Sequence, residues 1–167
     1  IVHEQLLSRE GRLYVFSSHA HADHFNRQML SWKALRPDIV YLLSTDIPLS
    51  DKDKENRNLH TLAKGDTYRD EYLTVRAFGS TDIGISFLVQ TPEGVTVFHA
   101  GDLNNWHWMD ESPEEEWKRD EAFFLRELED IAVYKAQMDI VLFPVDPRLG
   151  KEYMRGPLQF VKRIKTT

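Results

Sequence analysis

A cluster of three histidines and one aspartate directly follows a short apolar segment near the start of the chain. The segment 12–18, RLYVFSS, has the β-branched and aromatic composition of a buried strand, and it ends in serines that favour a loop. His19, His21, Asp23 and His24 come next, within six consecutive positions. The cluster is therefore expected at the carboxyl end of a strand, and this restricts both the fold and the chemistry.

The spacing within the cluster predicts a metal site. His19 and His21 are two residues apart in an extended segment, so both side chains project to the same side and can bind one ion. Asp23 and His24 follow on the turn, where neighbouring side chains diverge enough to bind a second ion about 3.5–4 Å away, as two-metal hydrolytic sites require. Imidazole and carboxylate ligands favour Zn²⁺, with Mn²⁺ or Fe as alternatives.

The segments around the cluster predict a layered α/β (α+β) domain. Residues 26–37 are expected to form a helix that ends at Pro37, and 38–44 a buried strand parallel to the first. Residues 45–58 are interpreted as a charged surface loop. From residue 59 onward, alternating apolar residues predict an antiparallel meander with a tight turn at 91–94.

The second half of the chain contains the clearest helix signal. Residues 112–137 are expected to form a long helix with Ser112 as N-cap and Pro113 at the first helical position. An apolar stripe at helical spacing predicts its buried face: Trp117, Phe124, Leu128, Ile131. A buried strand is expected over 139–147 and a last helix over 157–165.

Composition limits the function classes. The 167 residues suffice for one domain, 1–167, with a sizeable core, and the 41 % apolar share is typical of a globular protein. A net charge of −6 predicts neither a nucleic-acid partner nor an anionic membrane partner. The absence of cysteine restricts metal ligands to nitrogen and oxygen, and it fits a reducing compartment, so we expect a cytoplasmic protein.

A second motif supports the metal interpretation. The segment 95–102, VTVFHAGD, is an apolar strand that ends in a glycine and Asp102. A carboxylate at the end of a strand is well placed to bridge two ions from the side opposite the histidines. Taken alone, Asp102 would be interpreted as a turn residue, but together with the cluster the metal-site interpretation is favoured.

Both motifs resemble those of the metallo-β-lactamase superfamily. HAHADH, residues 19–24, resembles the family's histidine signature, and FHAGD, 98–102, resembles the strand that carries its bridging aspartate. The resemblance implies a four-layer αββα sandwich. It implies that His19 and His21 bind one ion, that Asp23 and His24 bind the other, that Asp23 orients the metal-activated water, and that Asp102 bridges.

The chain departs from the family pattern in two places. The family has a further histidine between the two motifs, whereas 78–87, FGSTDIGISF, has none, so Asp82 or Thr81 is expected to stand in. His99 is a possible substitute, although a place in the core or beside the ligands is favoured. The family's first hairpin and its last histidine strand have no counterpart, so the fold is expected to be incomplete at both ends and further residues are expected there.

The resemblance implies a metal-dependent hydrolase with one or two ions, acting on a small ester, lactone, amide, thioester or phosphodiester. Two alternatives stay open: a tRNA-processing phosphodiesterase, and a non-catalytic or one-metal binding module on the same fold. Two further features have two interpretations each. Residues 104–110, NNWHWMD, either line a substrate pocket or pack over the sheet edge, and Arg148 is either an anion clamp or a surface residue.

Overall fold

The computed structural model describes the backbone of residues 2–166 and the side chains of residues 5–166. The chain divides into two compact units, the first ending at Leu62 and the second beginning at Ala63. Each unit has its own sheet and its own apolar core. Whether 1–167 behaves as the single domain expected from its length stays a prediction.

The first unit is built on a three-stranded parallel sheet in the order β1-β2-β3. Its elements in chain order are a π-helical turn Val2–Leu7, β1 (Tyr14–Ser17), a 3₁₀ helix Arg27–Ala34, β2 (Val40–Ser44), α1 (Asp51–Lys54) and β3 (Leu59–Leu62). The parallel pairing of β1 with β2 confirms the predicted strand–helix–strand arrangement. Its buried apolar core is formed by Met29, Leu30, Ile39, Tyr41, Leu43 and Ile47.

Two local predictions in the first unit need correction. The helix predicted over 26–37 is a shorter 3₁₀ helix, begun by Asn26, whose side chain accepts a hydrogen bond from the backbone N–H of Gln28. The interpretation of 45–58 as irregular loop is wrong at α1. There Ser50 and Asp53 form a capping box, and Asp53 also pairs with Arg27.

The second unit contains a five-stranded sheet in the order β4-β5-β6-β7-β9, together with two α-helices. Its elements in chain order are β4 (Thr67–Arg69), β5 (Thr74–Phe78), β6 (Ser86–Gln90), β7 (Thr96–His99), α2 (Glu114–Tyr134), β8 (Gln137–Met138), β9 (Ile140–Leu142), a 3₁₀ helix Pro147–Glu152, α3 (Arg155–Arg163) and β10 (Lys165–Thr166). Strands β4 to β7 pair antiparallel, which confirms the predicted meander. The turn at 91–94 is closed by a hydrogen bond from Gly94 N to Thr91 O of 3.0 Å.

Helix α2 supplies much of the core of the second unit. Phe124, Leu128 and Ile131 are fully buried, as the apolar stripe predicts. The predicted start is wrong by one position, because Pro113 is the N-cap and the helix begins at Glu114. No side-chain hydrogen bond caps this end, so three glutamates in the first turn stabilise it through the helix dipole.

The strand predicted as buried over 139–147 is short and half-exposed. Strand β9 covers three residues and pairs in parallel with β7, and its Leu142 side chain is 53 % exposed. The prediction failed because a strand at the edge of a sheet can carry apolar residues without burying both faces. The last predicted helix is α3, which begins two residues earlier than expected. No helix among residues 2–166 is long and apolar enough to cross a membrane.

Candidate metal centre

The histidine cluster lies in a tight loop at the carboxyl end of β1, as predicted. The backbone N–H groups of His24 and Phe25 donate to the carbonyl oxygen of His21 at 2.9 and 2.8 Å. The Ser17 hydroxyl, buried at the end of the strand, donates to the carbonyl oxygen of His24 at 2.9 Å. These bonds reverse the chain immediately after β1, and they bring three imidazole rings together.

His19 and His21 have the geometry of a metal-binding pair. His19 is fully buried, and its Nε2 atom lies 3.0 Å from Nδ1 of the exposed His21. Two nitrogens bound to zinc at about 2.0–2.1 Å are about 3 Å apart at a right angle and about 3.4 Å apart in a tetrahedral site. The two ring nitrogens therefore fit a shared ion, and without one they can share a hydrogen bond.

Two residues that the sequence analysis did not single out hold this loop. The buried Ser18 Oγ lies 3.0 Å from His19 Nδ1 and 3.2 Å from His24 Nδ1. This leaves the Nε2 atom of His19 as the nitrogen that faces His21. Asp46, just beyond β2, accepts a hydrogen bond of 2.9 Å from the backbone N–H of Ala20. The place of Asp46 at the end of the neighbouring parallel strand is a sequence signal that it lies near this loop, but it does not predict the bond to Ala20.

Asp23 and His24 also lie in this loop, but in different surroundings. The Asp23 side chain is 80 % exposed, and its Oδ2 atom lies 3.7 Å from His24 Nε2. The His24 ring is half-buried, with its centroid 4.0 Å from that of His19. The four cluster residues thus lie close together, whereas binding of a second ion by Asp23 and His24 stays a prediction.

Two aspartates of the second unit form another pair. Asp82 lies in the loop between β5 and β6, and Asp102 follows β7 after Gly101, whose φ of +57° turns the chain at that point. One carboxylate oxygen of Asp82 lies within 4.8 Å of one of Asp102. Two histidines of the first unit and two aspartates of the second each offer a ligand atom that could bind a metal ion: His19, His21, Asp82, Asp102.

Three residues could replace the histidine that the family has between the two motifs, and their surroundings differ. Asp82 lies beside Asp102, as a stand-in ligand would, although its role as a ligand stays a prediction. The Thr81 hydroxyl is instead hydrogen-bonded to the backbone of Asn104. His99 is exposed and does not lie in the core, whereas the alternative place beside the ligands stays a prediction; its Nδ1 atom accepts a hydrogen bond from Gly101 N at 3.0 Å. The side chain of the preceding residue, Phe98, lies on the opposite face of β7 and enters the core.

The loop that follows Asp102 is held by helices α2 and α3. Asn105 is fully buried, and its Nδ2 atom donates to Glu121 Oε1 at 3.1 Å and to Gln159 Oε1 at 2.9 Å. Arg155 Nε donates to the same Glu121 oxygen at 2.6 Å. The hydrogen bond from Arg155 holds the pKa of Glu121 below its usual value. Glu121 is therefore the charged centre that ties both helices to this loop.

Stability is expected to depend on pH through Glu121. Because its pKa is lower in the folded than in the unfolded chain, its contribution is complete above the unfolded value of about 4.3 and is lost as pH falls through the folded value. Glu121→Gln should lower the free energy of unfolding by about 2 kcal/mol at pH 7, and by less as pH falls below about 4. Urea denaturation of both proteins across this range measures the difference. The exposed Glu129→Gln serves as control, and an effect of Glu121→Gln that is equal at pH 7 and pH 3 would contradict the prediction.

Two sequence features were given two interpretations each: residues 104–110 and Arg148. The structure favours one interpretation for His107 and for Arg148. His107 is fully buried, with Nε2 3.2 Å from the carbonyl oxygen of Glu152 and Nδ1 accepting from Met109 N, so it has a packing role. Trp106 and Trp108 are half-buried and stacked, with ring centroids 6.2 Å apart. The guanidinium of Arg148 is bound by its neighbour Asp146, which favours the surface interpretation.

Comparison with known proteins shows similarity at the level of the fold. No protein-family model and no curated protein matches the chain. The solved structure of CmlA, a diiron β-hydroxylase from Streptomyces venezuelae, is 16 % identical, with a TM-score of 0.57, and a CmlA variant has a TM-score of 0.55. A metallo-β-lactamase from Staphylococcus aureus is also 16 % identical, with a TM-score of 0.45, over 92 % of this chain and 52 % of that one.

The match to CmlA covers only part of that protein. The alignment covers 92 % of this chain but 34 % of CmlA, so the chain spans about a third of the length of that protein. At this level of identity the match shows the fold alone. That fold is the metallo-β-lactamase fold, as the two sequence motifs had predicted.

Proposed function

We propose that this chain, which has the metallo-β-lactamase fold, belongs to a metal-dependent hydrolase with His19, His21, Asp82 and Asp102 among its metal ligands. The observation that carries the proposal is the 3.0 Å approach of His19 Nε2 to His21 Nδ1 at the end of β1. The paired carboxylates of Asp82 and Asp102 support it. Imidazole and carboxylate ligands suit zinc, and they also suit manganese or iron.

The chain's own residues prepare this chemistry in three ways. Ser18 and Asp46 hold the histidine loop in place, so that the rings need little rearrangement to bind an ion. The exposed Asp23 orients the attacking water. When bound, a divalent ion lowers the pKa of water and stabilises the negative charge that develops on a carbonyl or phosphoryl oxygen.

The proposed substrate is a small molecule with a hydrolysable ester, lactone, amide, thioester or phosphodiester bond. The acidic composition supports a small substrate over a nucleic acid, because a polyphosphate backbone would be repelled by a net charge of −6. Trp106 and Trp108 are available to line the substrate pocket, since Trp106 Nε1 donates to the carbonyl oxygen of Asp102 at 2.8 Å.

Metal analysis of the intact protein, followed by a panel of these substrate classes, tests the proposal. One or two equivalents of zinc, manganese or iron, together with metal-dependent hydrolysis of at least one class, are the expected results. Stoichiometric metal without hydrolysis would favour a one-metal binding module. Absence of metal after reconstitution would overturn the proposal, and hydrolysis of precursor tRNA would favour the phosphodiesterase alternative.

Asp23→Ala is expected to lower hydrolysis by about 100-fold, because a reacting group that is misplaced by about 1 Å loses about that factor in rate. The Asp23 side chain is 80 % exposed, so its removal should leave the unfolding temperature unchanged. Steady-state kinetics on the best panel substrate measure the effect. Asp51→Ala, at a fully exposed carboxylate of the same unit, is the control and should retain full activity. Full activity in Asp23→Ala would refute the assigned role.

A further inference from the structure

A threonine hydroxyl joins the two loops that carry Asp82 and Asp102. Thr81 Oγ1 donates to the carbonyl oxygen of Asn104 at 2.6 Å and accepts the N–H of the same residue at 3.0 Å. Thr81 directly precedes Asp82, and Asn104 lies two residues after Asp102. The Thr81 side chain is thus hydrogen-bonded to both the N–H and the carbonyl group of Asn104 in the facing loop.

Each loop is also held on its own side. The backbone N–H of Asp82 donates to Ser80 Oγ at 3.3 Å, and the carbonyl oxygen of Asp102 accepts from Trp106 Nε1. These bonds restrict the backbone at each aspartate, but neither of them joins the two loops. The Thr81 hydroxyl, in contrast, joins one loop to the other.

The Asn104 side of the link is closely packed. Asn104 and Asn105 are both fully buried, and a Cβ atom at Gly156 of α3 would overlap the Asn104 side chain. Asn104 Nδ2 and Asn105 Oδ1 have no hydrogen-bond partner among the described residues, although unpaired buried polar atoms reduce stability. This loop therefore keeps a specific backbone position at a cost in stability.

We propose that Thr81 is a positioning residue that sets the separation of the Asp82 and Asp102 carboxylates, and thereby the affinity of the protein for its metal. The inference rests on the proposed function, because it requires both aspartates to be ligands. It adds a role for a residue that binds no metal itself. Loss of the Thr81 hydroxyl should have an effect similar to the loss of other groups that orient metal ligands, which lowers metal affinity about 10–100-fold.

The chain offers a matched control at the start of β7. Thr96 Oγ1 makes the same two-sided contact, donating to Asp139 Oδ2 at 2.7 Å and accepting Asp139 N–H at 3.0 Å. Thr96 is buried and lies at the opposite end of β7 from Asp102. Thr96→Val therefore removes an equivalent hydroxyl from the same sheet without touching either aspartate loop.

The test is the dissociation constant for zinc, measured on the intact metal-free protein by competition with a chelating dye. Thr81→Val is expected to weaken zinc binding at least about tenfold, whereas Thr81→Ser, which keeps the hydroxyl, and Thr96→Val should bind zinc like the unsubstituted protein. Thermal unfolding without metal should show similar losses for the two valine variants. Thr81→Ala replaces Thr81→Val if valine prevents folding.

The outcomes separate the inference from the proposed function. If the unsubstituted protein binds zinc and Thr81→Val binds it equally well, Thr81 has only a structural role, and the inference is overturned while the proposed function stands. Equal weakening by Thr81→Val and Thr96→Val would also overturn it, because the effect would then follow general destabilisation. Failure of the unsubstituted protein to bind any metal would overturn both.

Discussion

Replacing His21 by alanine is expected to lower the affinity of the protein for zinc by at least about 100-fold. Outer-sphere partners of metal ligands contribute about 10–100-fold, and a residue that donates a ligand nitrogen should contribute no less. His21 is exposed, so its side chain contributes little to packing, and the metal-free variant should unfold at the same denaturant concentration as the unsubstituted protein. Hydrolysis should fall together with metal content.

The control for this prediction is His60→Ala, which removes a histidine of the same unit to which no role is assigned. It should retain zinc binding, as measured by metal content after dialysis and by dye competition. His19→Ala should lose zinc as well, but it removes a fully buried ring and should also destabilise the first unit. Native zinc affinity in His21→Ala would show that the 3.0 Å contact between the two rings is a hydrogen bond and not half of a metal site.

Replacing Phe124 by alanine is expected to lower the free energy of unfolding by about 4 kcal/mol. The ring is fully buried in the core of the second unit, where it packs against the ring of Phe143 with centroids 6.4 Å apart. Truncation of a buried phenylalanine removes its transfer free energy and leaves a cavity, at a cost of about 3–5 kcal/mol. Urea denaturation of the metal-free protein measures this loss.

The neighbouring residue provides the control for that prediction. Phe123 is 39 % exposed on the other side of α2, where Arg126 lies over its ring at 5.7 Å from the centroid. Phe123→Ala should cost less than about 1 kcal/mol, because surface substitutions rarely have large effects. Equal losses for the two variants would show that the apolar stripe of α2 does not face the core.

Elements with regular patterns were predictable from the sequence. The apolar run of β2, the alternation of the meander and the stripe of α2 each reflect a period of the backbone, and that period decides which side chains can be buried together. Elements without such a pattern were missed or misplaced. Helix α1 has no buried residue and depends on its capping box, and β9 is exposed because it lies at an edge of its sheet.

The residues of the candidate site also fall into two groups, those that could be predicted from sequence and those that could not. His19, His21, Asp23 and His24 could be identified from sequence, because ligands on one short loop are close together in any fold in which a strand precedes that loop. Ser18, Asp46, Thr81 and Asn104 could not be assigned their roles. A serine beside a histidine, or a threonine beside an aspartate, has no distinctive spacing, and its hydrogen-bond partners are 1 to 26 residues away along the chain.

The sequence by itself determined the chemistry that this protein can offer: nitrogen and oxygen ligands, no thiol, and a histidine loop at the end of a strand. These follow from residue types and from local spacing, which do not depend on how distant segments pack. Only the tertiary structure decided that Asp82 lies beside Asp102, that Asp46 holds the histidine loop, and that His99 is exposed. Such contacts join residues far apart in sequence, and they form only when the sheets and helices bury their apolar faces.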